Sequence, residues 1–99
     1  MAKIGYVYIL TNKNRTVLYT GVTSNLIQRL MQHVYESKGF VKRYSVHYLV
    51  YFESIHGMMN AIRREKEIKG WTRAKKETLI VENNPEWRFL NEEVLGEDL

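Results

Sequence analysis

The feature that most constrains the fold is a pair of β-rich runs near the N-terminus. YVYIL (6–10) and VLYTGV (17–22) are joined by the polar, turn-forming stretch TNKNRT (11–16). Runs of this composition on either side of a short polar turn are typical of an antiparallel hairpin. Residues 6–22 are therefore predicted to form a β-hairpin.

Two tyrosines of this hairpin, Tyr8 and Tyr19, are predicted to lie close together. Side chains alternate between the faces of a strand, and hairpin registers that match these faces bring the two phenols near each other. Gly21 leaves room beside them, as a strand glycine often does where a ligand or backbone approaches closely. Tyrosine is also a good strand residue, so sheet packing alone is an alternative explanation.

The rest of the chain predicts one more strand and three helices. The strand is predicted over residues 46–54, and the helices over residues 25–37, 58–69 and 73–83. Thr23 or Ser24 is predicted to cap the first helix, Gly70 to end the second at its C′ position, and Thr72 to cap the third. The order β-β-α-β-α-α predicts an α+β domain, a three-stranded, mostly antiparallel sheet flanked by helices.

Length and composition exclude several classes of protein. Ninety-nine residues, 44% hydrophobic and 26% charged, suit a single globular domain. No apolar run approaches the roughly 20 residues that span a bilayer, and the N-terminus is a poor signal peptide. The absence of cysteine excludes disulfides and thiolate metal sites, and it fits a reducing compartment. We therefore expect a cytoplasmic protein with no membrane partner, and we favour a monomer.

The net charge of +4 hides a strong asymmetry along the chain. Residues 1–76 hold 14 Lys and Arg against 4 Glu, whereas residues 77–99 hold one Arg against 7 acidic residues. Seven of the cations lie within residues 63–76. A basic face of this kind favours a polyanion, with nucleic acid the default partner, although a solvated helix surface explains the charge equally well.

The helices add three polar residues at positions that call for explanation. On helix 58–69, Glu65 falls inside the apolar stripe, where an unpaired carboxylate costs several kcal/mol. Either a salt bridge with Arg29 or a metal ion would compensate that cost. Arg29 and His33 are four residues apart at the edge of the first helix's apolar stripe, so they share one face.

Together these residues resemble the GIY-YIG nuclease superfamily. Its two motifs correspond to YVY (6–8) and YTG (19–21), its helix arginine and histidine to Arg29 and His33, its helix glutamate to Glu65 and its late asparagine to Asn84. The chain is most similar to the small stand-alone bacterial members, which resemble the N-terminal nuclease domain of the bacterial excinuclease. The resemblance implies a nuclease-like domain over residues 1–90, followed by an acidic tail over residues 91–99.

The activity that the resemblance implies is hydrolysis of DNA phosphodiester bonds, in DNA repair or recombination. Glu65 would hold one Mg²⁺ (or Mn²⁺) ion, with no small-molecule cofactor, and Arg29 would neutralise charge at phosphorus. Tyr8 is the preferred base, with Tyr19 and His33 in its hydrogen-bond network and Asn84 completing the catalytic set. The predicted contacts to the DNA backbone are the basic residues Lys42, Arg43, Arg63, Arg64, Lys66, Lys69, Arg73, Lys75 and Lys76.

Two other classes of function fit the same sequence. One is a nucleic-acid-binding module that keeps the nuclease fold with little or no turnover. The other is a protein-interaction domain that uses the aromatic surface and the acidic tail. Plasmid nicking with Mg²⁺ or Mn²⁺ separates an enzyme from both.

Overall fold

A computed structural model of the protein describes residues 3–35 and 43–96. Its strands are β1 (Ile4–Thr11), β2 (Leu18–Thr23) and β3 (Tyr48–His56), and its helices include α1 (Leu26–Tyr35), α2 (Met58–Lys69), α3 (Arg73–Asn83) and α4 (Asn91–Leu95). Within these ranges the strands form one antiparallel sheet in the order β2-β1-β3. The predicted α+β class and element order are confirmed. None of the described helices is long and apolar enough to cross a membrane.

The predicted hairpin forms, and its turn is organised by one side chain. The Oδ1 atom of Asn12 accepts hydrogen bonds from the N–H groups of Thr16, at 2.7 Å, and Val17, at 3.1 Å. An asparagine that bonds backbone groups further along the chain stabilises a turn in this way. The resulting register sets Tyr8 opposite Gly21, and it places Tyr19 two positions further along the same face.

The sheet is buried on both faces. One core, beneath α1, contains Tyr8, Leu10, Leu26, Leu30, Leu49 and Leu90. The other, beneath α2 and α3, contains Val7, Ile9, Val50, Ala61, Ile68 and Ile80. Because α1 and α2 lie on opposite faces, side chains from both helices can meet only around an edge of the sheet, and β2 is the edge strand next to Tyr8.

The helix ends correct two of the sequence predictions. The side chain that caps α1 is Asn25, whose Oδ1 accepts from the Gln28 N–H at 3.0 Å, and not Thr23 or Ser24. Strand β2 extends to Thr23, so the cap falls later, and asparagine caps a helix as well as serine. Gly70 does end α2, but with a right-handed backbone (φ −80°) rather than the left-handed one typical of C′.

The cap predicted for the next helix is confirmed. Thr72 accepts the Lys75 N–H at 3.2 Å through its side-chain oxygen.

The segment after residue 90 returns to the domain. The Asn91 side chain accepts from the Leu49 N–H at 2.8 Å and donates to the His47 carbonyl at 3.0 Å. The Leu90 N–H adds a bond to the Leu49 carbonyl at 2.7 Å. Helix α4 is thereby attached to the start of β3, and a domain boundary at residue 90 stays a prediction.

Candidate active site

The candidate site is built around the phenol of Tyr8. Its side chain is fully buried, and its hydroxyl lies 3.0 Å from Nε2 of His33 on α1. The ring passes directly over Gly21, where an added Cβ would overlap the Tyr8 hydroxyl and ring carbons. Glycine at residue 21 therefore lets the phenol cross β2 and reach the helix.

His33 brings the two tyrosines together. The ring of Tyr8 packs against the imidazole with centroids 5.7 Å apart, and the ring of Tyr19 does so at 5.8 Å, both in edge-to-face geometry. The two phenols thus share one histidine, as their positions on a common face of the hairpin predict. Arg29, one turn earlier on α1, is close enough for its charge to act on both Tyr8 and His33.

Burial keeps the Tyr8–His33 pair uncharged near neutral pH. It raises the pKa of Tyr8 to about 12, with Tyr19 and Glu65 adding to the rise and Arg29 opposing it. It also lowers the pKa of His33 to about 4, and the positive charge of Arg29 acts in the same direction. Two neutral groups therefore share this hydrogen bond, and the phenol donates it when the imidazole proton is on Nδ1.

The low pKa of His33 predicts a pH dependence of stability. An unfolded chain binds this proton below a pKa of about 6.5, whereas the native protein binds it only below about 4. The unfolded state then holds more protons between these values, so native stability falls by about 2–3 kcal/mol as the pH drops from 6.5 to 4.

Urea denaturation from pH 4 to 7.5 measures this loss. His33→Gln retains an acceptor for Tyr8 but does not titrate, and it should flatten the dependence. The matched change His56→Gln, at the exposed end of β3, should keep the wild-type slope. Equal slopes in all three proteins would contradict a buried neutral His33.

Glu65 lies on α2, the helix that packs on the other face of the sheet. It is one of the buried residues of α2, together with Ala61 and Ile68, as the apolar stripe predicts. Its salt-bridge partner among the described residues is Lys69, at 2.8 Å, and not Arg29. Lys69 lies one helical turn beyond Glu65, the spacing at which such pairs form. The carboxylate remains close enough to Tyr8 to raise the pKa of that phenol.

The donor chemistry at Glu65 suits a hard divalent cation. No group of three or more His, Asp or Glu side chains that could hold a metal converges in residues 3–35 and 43–96. Mg²⁺ does not require one, because it keeps several waters and is commonly bound by one or two carboxylates together with substrate phosphates. A single buried glutamate within electrostatic reach of the Tyr8 phenol fits that pattern.

Asn84, the remaining residue of the predicted catalytic set, makes its hydrogen bonds to groups outside this cluster. Its Nδ2 donates to the carbonyls of Val50 and Arg88, both at 2.9 Å, and its Oδ1 accepts from the Arg88 N–H at 3.0 Å. These bonds fix the end of α3 against β3, which lies across β1 from β2. A catalytic role for Asn84 stays a prediction, while the structure gives its side chain an architectural one.

The predicted DNA contacts differ in how far they are already engaged. Arg64 bonds both carboxylate oxygens of Glu53 at 3.2 Å and Glu67 at 2.7 Å, and Arg73 bonds Glu77 at 3.1 Å. Lys69 bonds Glu65 at 2.8 Å. The other described cations of the set are exposed or partly exposed: Arg43, Arg63, Lys66, Lys75 and Lys76. Lys42 lies outside the described residues.

A second polar network was not predicted from the sequence. Tyr51 donates to Glu53 at 2.7 Å, and Glu53 in turn holds Arg64. Arg64 and Lys75 both lie over the ring of Trp71, at 5.2 and 4.3 Å from its centroid. The alternation that puts residues 51 and 53 on one face of β3 was a signal that could have found it.

The fold and this cluster define a class of protein. Residues 4–78 match the GIY-YIG catalytic domain, and the chain belongs to the GIY-YIG family, whose fold is of nuclease type.

Its relatives within that family are UPF0213 proteins. One from Natronomonas pharaonis is 37% identical over 83 residues, which cover 83% of this chain and 96% of the relative. One from Syntrophus aciditrophicus is 40% identical over 81 residues, covering 79% and 91%. The solution NMR structure of a UPF0213 protein from Bacillus halodurans is similar with a TM-score of 0.56 and 27% identity, over 90% of this chain and 95% of that one.

Proposed function

We propose that the protein is a divalent-metal-dependent endonuclease that hydrolyses DNA phosphodiester bonds. The observation that carries the proposal is the buried Tyr8–His33 hydrogen bond, with Arg29 and Glu65 acting on the same phenol. Family membership supports it, because a GIY-YIG domain is a nuclease-type domain. The protein is further proposed to act as a cytoplasmic monomer, in DNA repair or recombination.

The Tyr8–His33 pair supplies a route for the proton of the attacking water. In the tautomer of His33 that carries its proton on Nδ1, Nε2 accepts the phenolic proton, so Tyr8 can take a proton from water while passing its own to the imidazole. Hydroxide and imidazolium are formed, and the phenol ends as it began. A relay of this kind avoids ionising a phenol whose pKa is about 12.

Arg29 and Glu65 supply the charges that the reaction needs. The guanidinium of Arg29 can neutralise negative charge that grows on the phosphoryl oxygens. Glu65 would hold a single Mg²⁺ or Mn²⁺ ion. When bound, such an ion polarises the phosphate and stabilises the departing oxygen.

The exposed cations of α2 predict a salt-dependent attraction to DNA. Lys66→Glu should weaken binding to a short duplex for all sequences alike. It should also reduce the slope of log K against log[salt] by about 0.9 if Lys66 contacts one phosphate. Lys3→Glu makes the same charge change at an exposed lysine outside the basic segment 63–76, and it should leave the slope unchanged. Fluorescence anisotropy at salt concentrations from about 50 to about 200 mM measures the slope for each variant. Equal slopes for the two variants would contradict a DNA surface on α2.

Conversion of supercoiled plasmid to nicked circles tests the activity itself. We expect nicking with Mg²⁺ or Mn²⁺ and none after addition of EDTA.

The second candidate function is a nucleic-acid-binding module with little or no turnover. Two observations on the protein without DNA favour it: Tyr8 and His33 are both uncharged near neutral pH, and Glu65 is already paired with Lys69. Tight duplex binding without nicking under either metal would decide for the second candidate.

A further inference from the structure

The ion pair between Glu65 and Lys69 covers the carboxylate that the reaction needs. The Nζ atom of Lys69 lies 2.8 Å from Oε2 of Glu65. The glutamate side chain is only 12% exposed, whereas the lysine side chain is 52% exposed. The ammonium group therefore stands on the solvent side of a carboxylate that is otherwise enclosed.

Lys69 also lies within electrostatic reach of Tyr19 on β2. Its hydrogen bond to Glu65 raises its pKa, and Tyr19 contributes to the same rise. The side chain is therefore a cation that lies within electrostatic reach of both Glu65 and Tyr19. An ammonium in hydrogen-bond contact with Oε2 occupies one acceptor site of the carboxylate and repels a divalent ion, so the two cations compete for one carboxylate.

We propose that Lys69 acts as a gate, a side chain that keeps a divalent metal ion from Glu65 until DNA is bound. This inference rests on the proposed function. In the protein without DNA it occupies the carboxylate, and on substrate binding its ammonium group moves to a backbone phosphate. Glu65 then becomes available to Mg²⁺ or Mn²⁺ only when DNA is in place. Metal binding and DNA binding are thus coupled with positive sign, and the coupling acts equally in both directions.

The chemistry of this pair suits exchange between partners. Lysine carries a compact charge on a flexible four-carbon stem, and the Lys69 side chain is half-exposed, so its ammonium group can leave the carboxylate and remain solvated. The neighbouring Arg64 provides the contrast. It bonds both oxygens of Glu53 through Nε and one oxygen of Glu67 through Nη1, so two carboxylates hold it in place.

Binding of Mn²⁺ to the protein without DNA, followed by electron paramagnetic resonance, tests the gate. Lys69→Ala should bind Mn²⁺ about two- to fivefold more tightly than Lys66→Ala does, the range set by the contribution of an exposed ion pair. The control removes the same charge one turn earlier on the same helix, so it accounts for any effect of net charge. Lys69→Gln should behave as Lys69→Ala does, and circular dichroism checks that each variant is folded.

A phosphorothioate-linked duplex, which resists cleavage, completes the test. It should increase the Mn²⁺ affinity of the wild-type protein more than that of Lys69→Ala, because the variant has no gate to open. Equal Mn²⁺ affinities of Lys69→Ala and Lys66→Ala, weaker binding by Lys69→Ala, or no detectable Mn²⁺ binding by Lys69→Ala would each overturn the gate. Plasmid nicking is not part of this readout, so failure of the gate and failure of the endonuclease proposal are distinguishable.

Discussion

Glu65→Gln is expected to reduce metal-dependent nicking by at least about a hundredfold while leaving the protein as stable as the wild type. The amide keeps the size of the side chain but loses the negative charge that would hold the metal, and a catalytic metal contributes several kcal/mol to the transition state. Stability should change by no more than about 1 kcal/mol. The partner left behind, Lys69, is half-exposed and can be solvated, so no buried cation is left unpaired.

The matched control for this change is Glu67→Gln. Glu67 lies on the same helix, is exposed, and pairs with Arg64 rather than with a residue of the site. It should keep wild-type nicking, with stability measured by urea denaturation for both variants. Retained nicking in Glu65→Gln together with a loss of about 3–5 kcal/mol would instead make Glu65 a structural ion-pair residue.

The fold was predictable because its signals are local. Strand alternation together with a hairpin register that matches the faces puts Tyr8 and Tyr19 on one face, and the observed register confirms it. The helical period of residues 58–69 likewise predicts the burial of Glu65. Each inference needs only the geometry of one hairpin or one helix, so neither depends on how distant parts of the chain pack together.

The partners of the site residues were less predictable, because more than one residue can reach the same group. The sequence is consistent with Arg29 or a metal beside Glu65, and the structure pairs the carboxylate with Lys69. The four-residue spacing from Glu65 to Lys69 was a usable signal, since both fall near the same side of the helix. The cap of α1 at Asn25 depended in turn on where β2 ends.

The packing around His33 and Asn84 could not be predicted from any single element. The pKa of His33 depends on burial between α1 and the sheet, which no helical wheel measures. Asn84 is matched to the family by its order along the chain, whereas its hydrogen bonds run to β3 and to the segment after Pro85. A motif position identifies the residue, and only the assembled fold tells which groups it meets.

Tyr8→Phe is expected to reduce nicking by about 10²–10⁴-fold, the usual contribution of a positioned proton-transfer group. The ring stays in the core over Gly21, but the hydroxyl that is hydrogen-bonded to His33 is lost. DNA affinity should stay the same, because the buried phenol is not among the exposed cations. Single-turnover nicking at saturating protein separates the chemical step from binding.

Two further Tyr→Phe changes make the result specific to Tyr8. Tyr51→Phe removes a hydroxyl that bonds Glu53 outside the site, and it should keep wild-type nicking. Tyr19→Phe tests the other phenol that packs against His33, and because the structure places the hydroxyl of Tyr8 at Nε2, a smaller loss is expected there. If Tyr19→Phe abolished nicking while Tyr8→Phe retained it, the proton route would run through Tyr19. The Tyr8–His33 hydrogen bond would then serve only to position the imidazole.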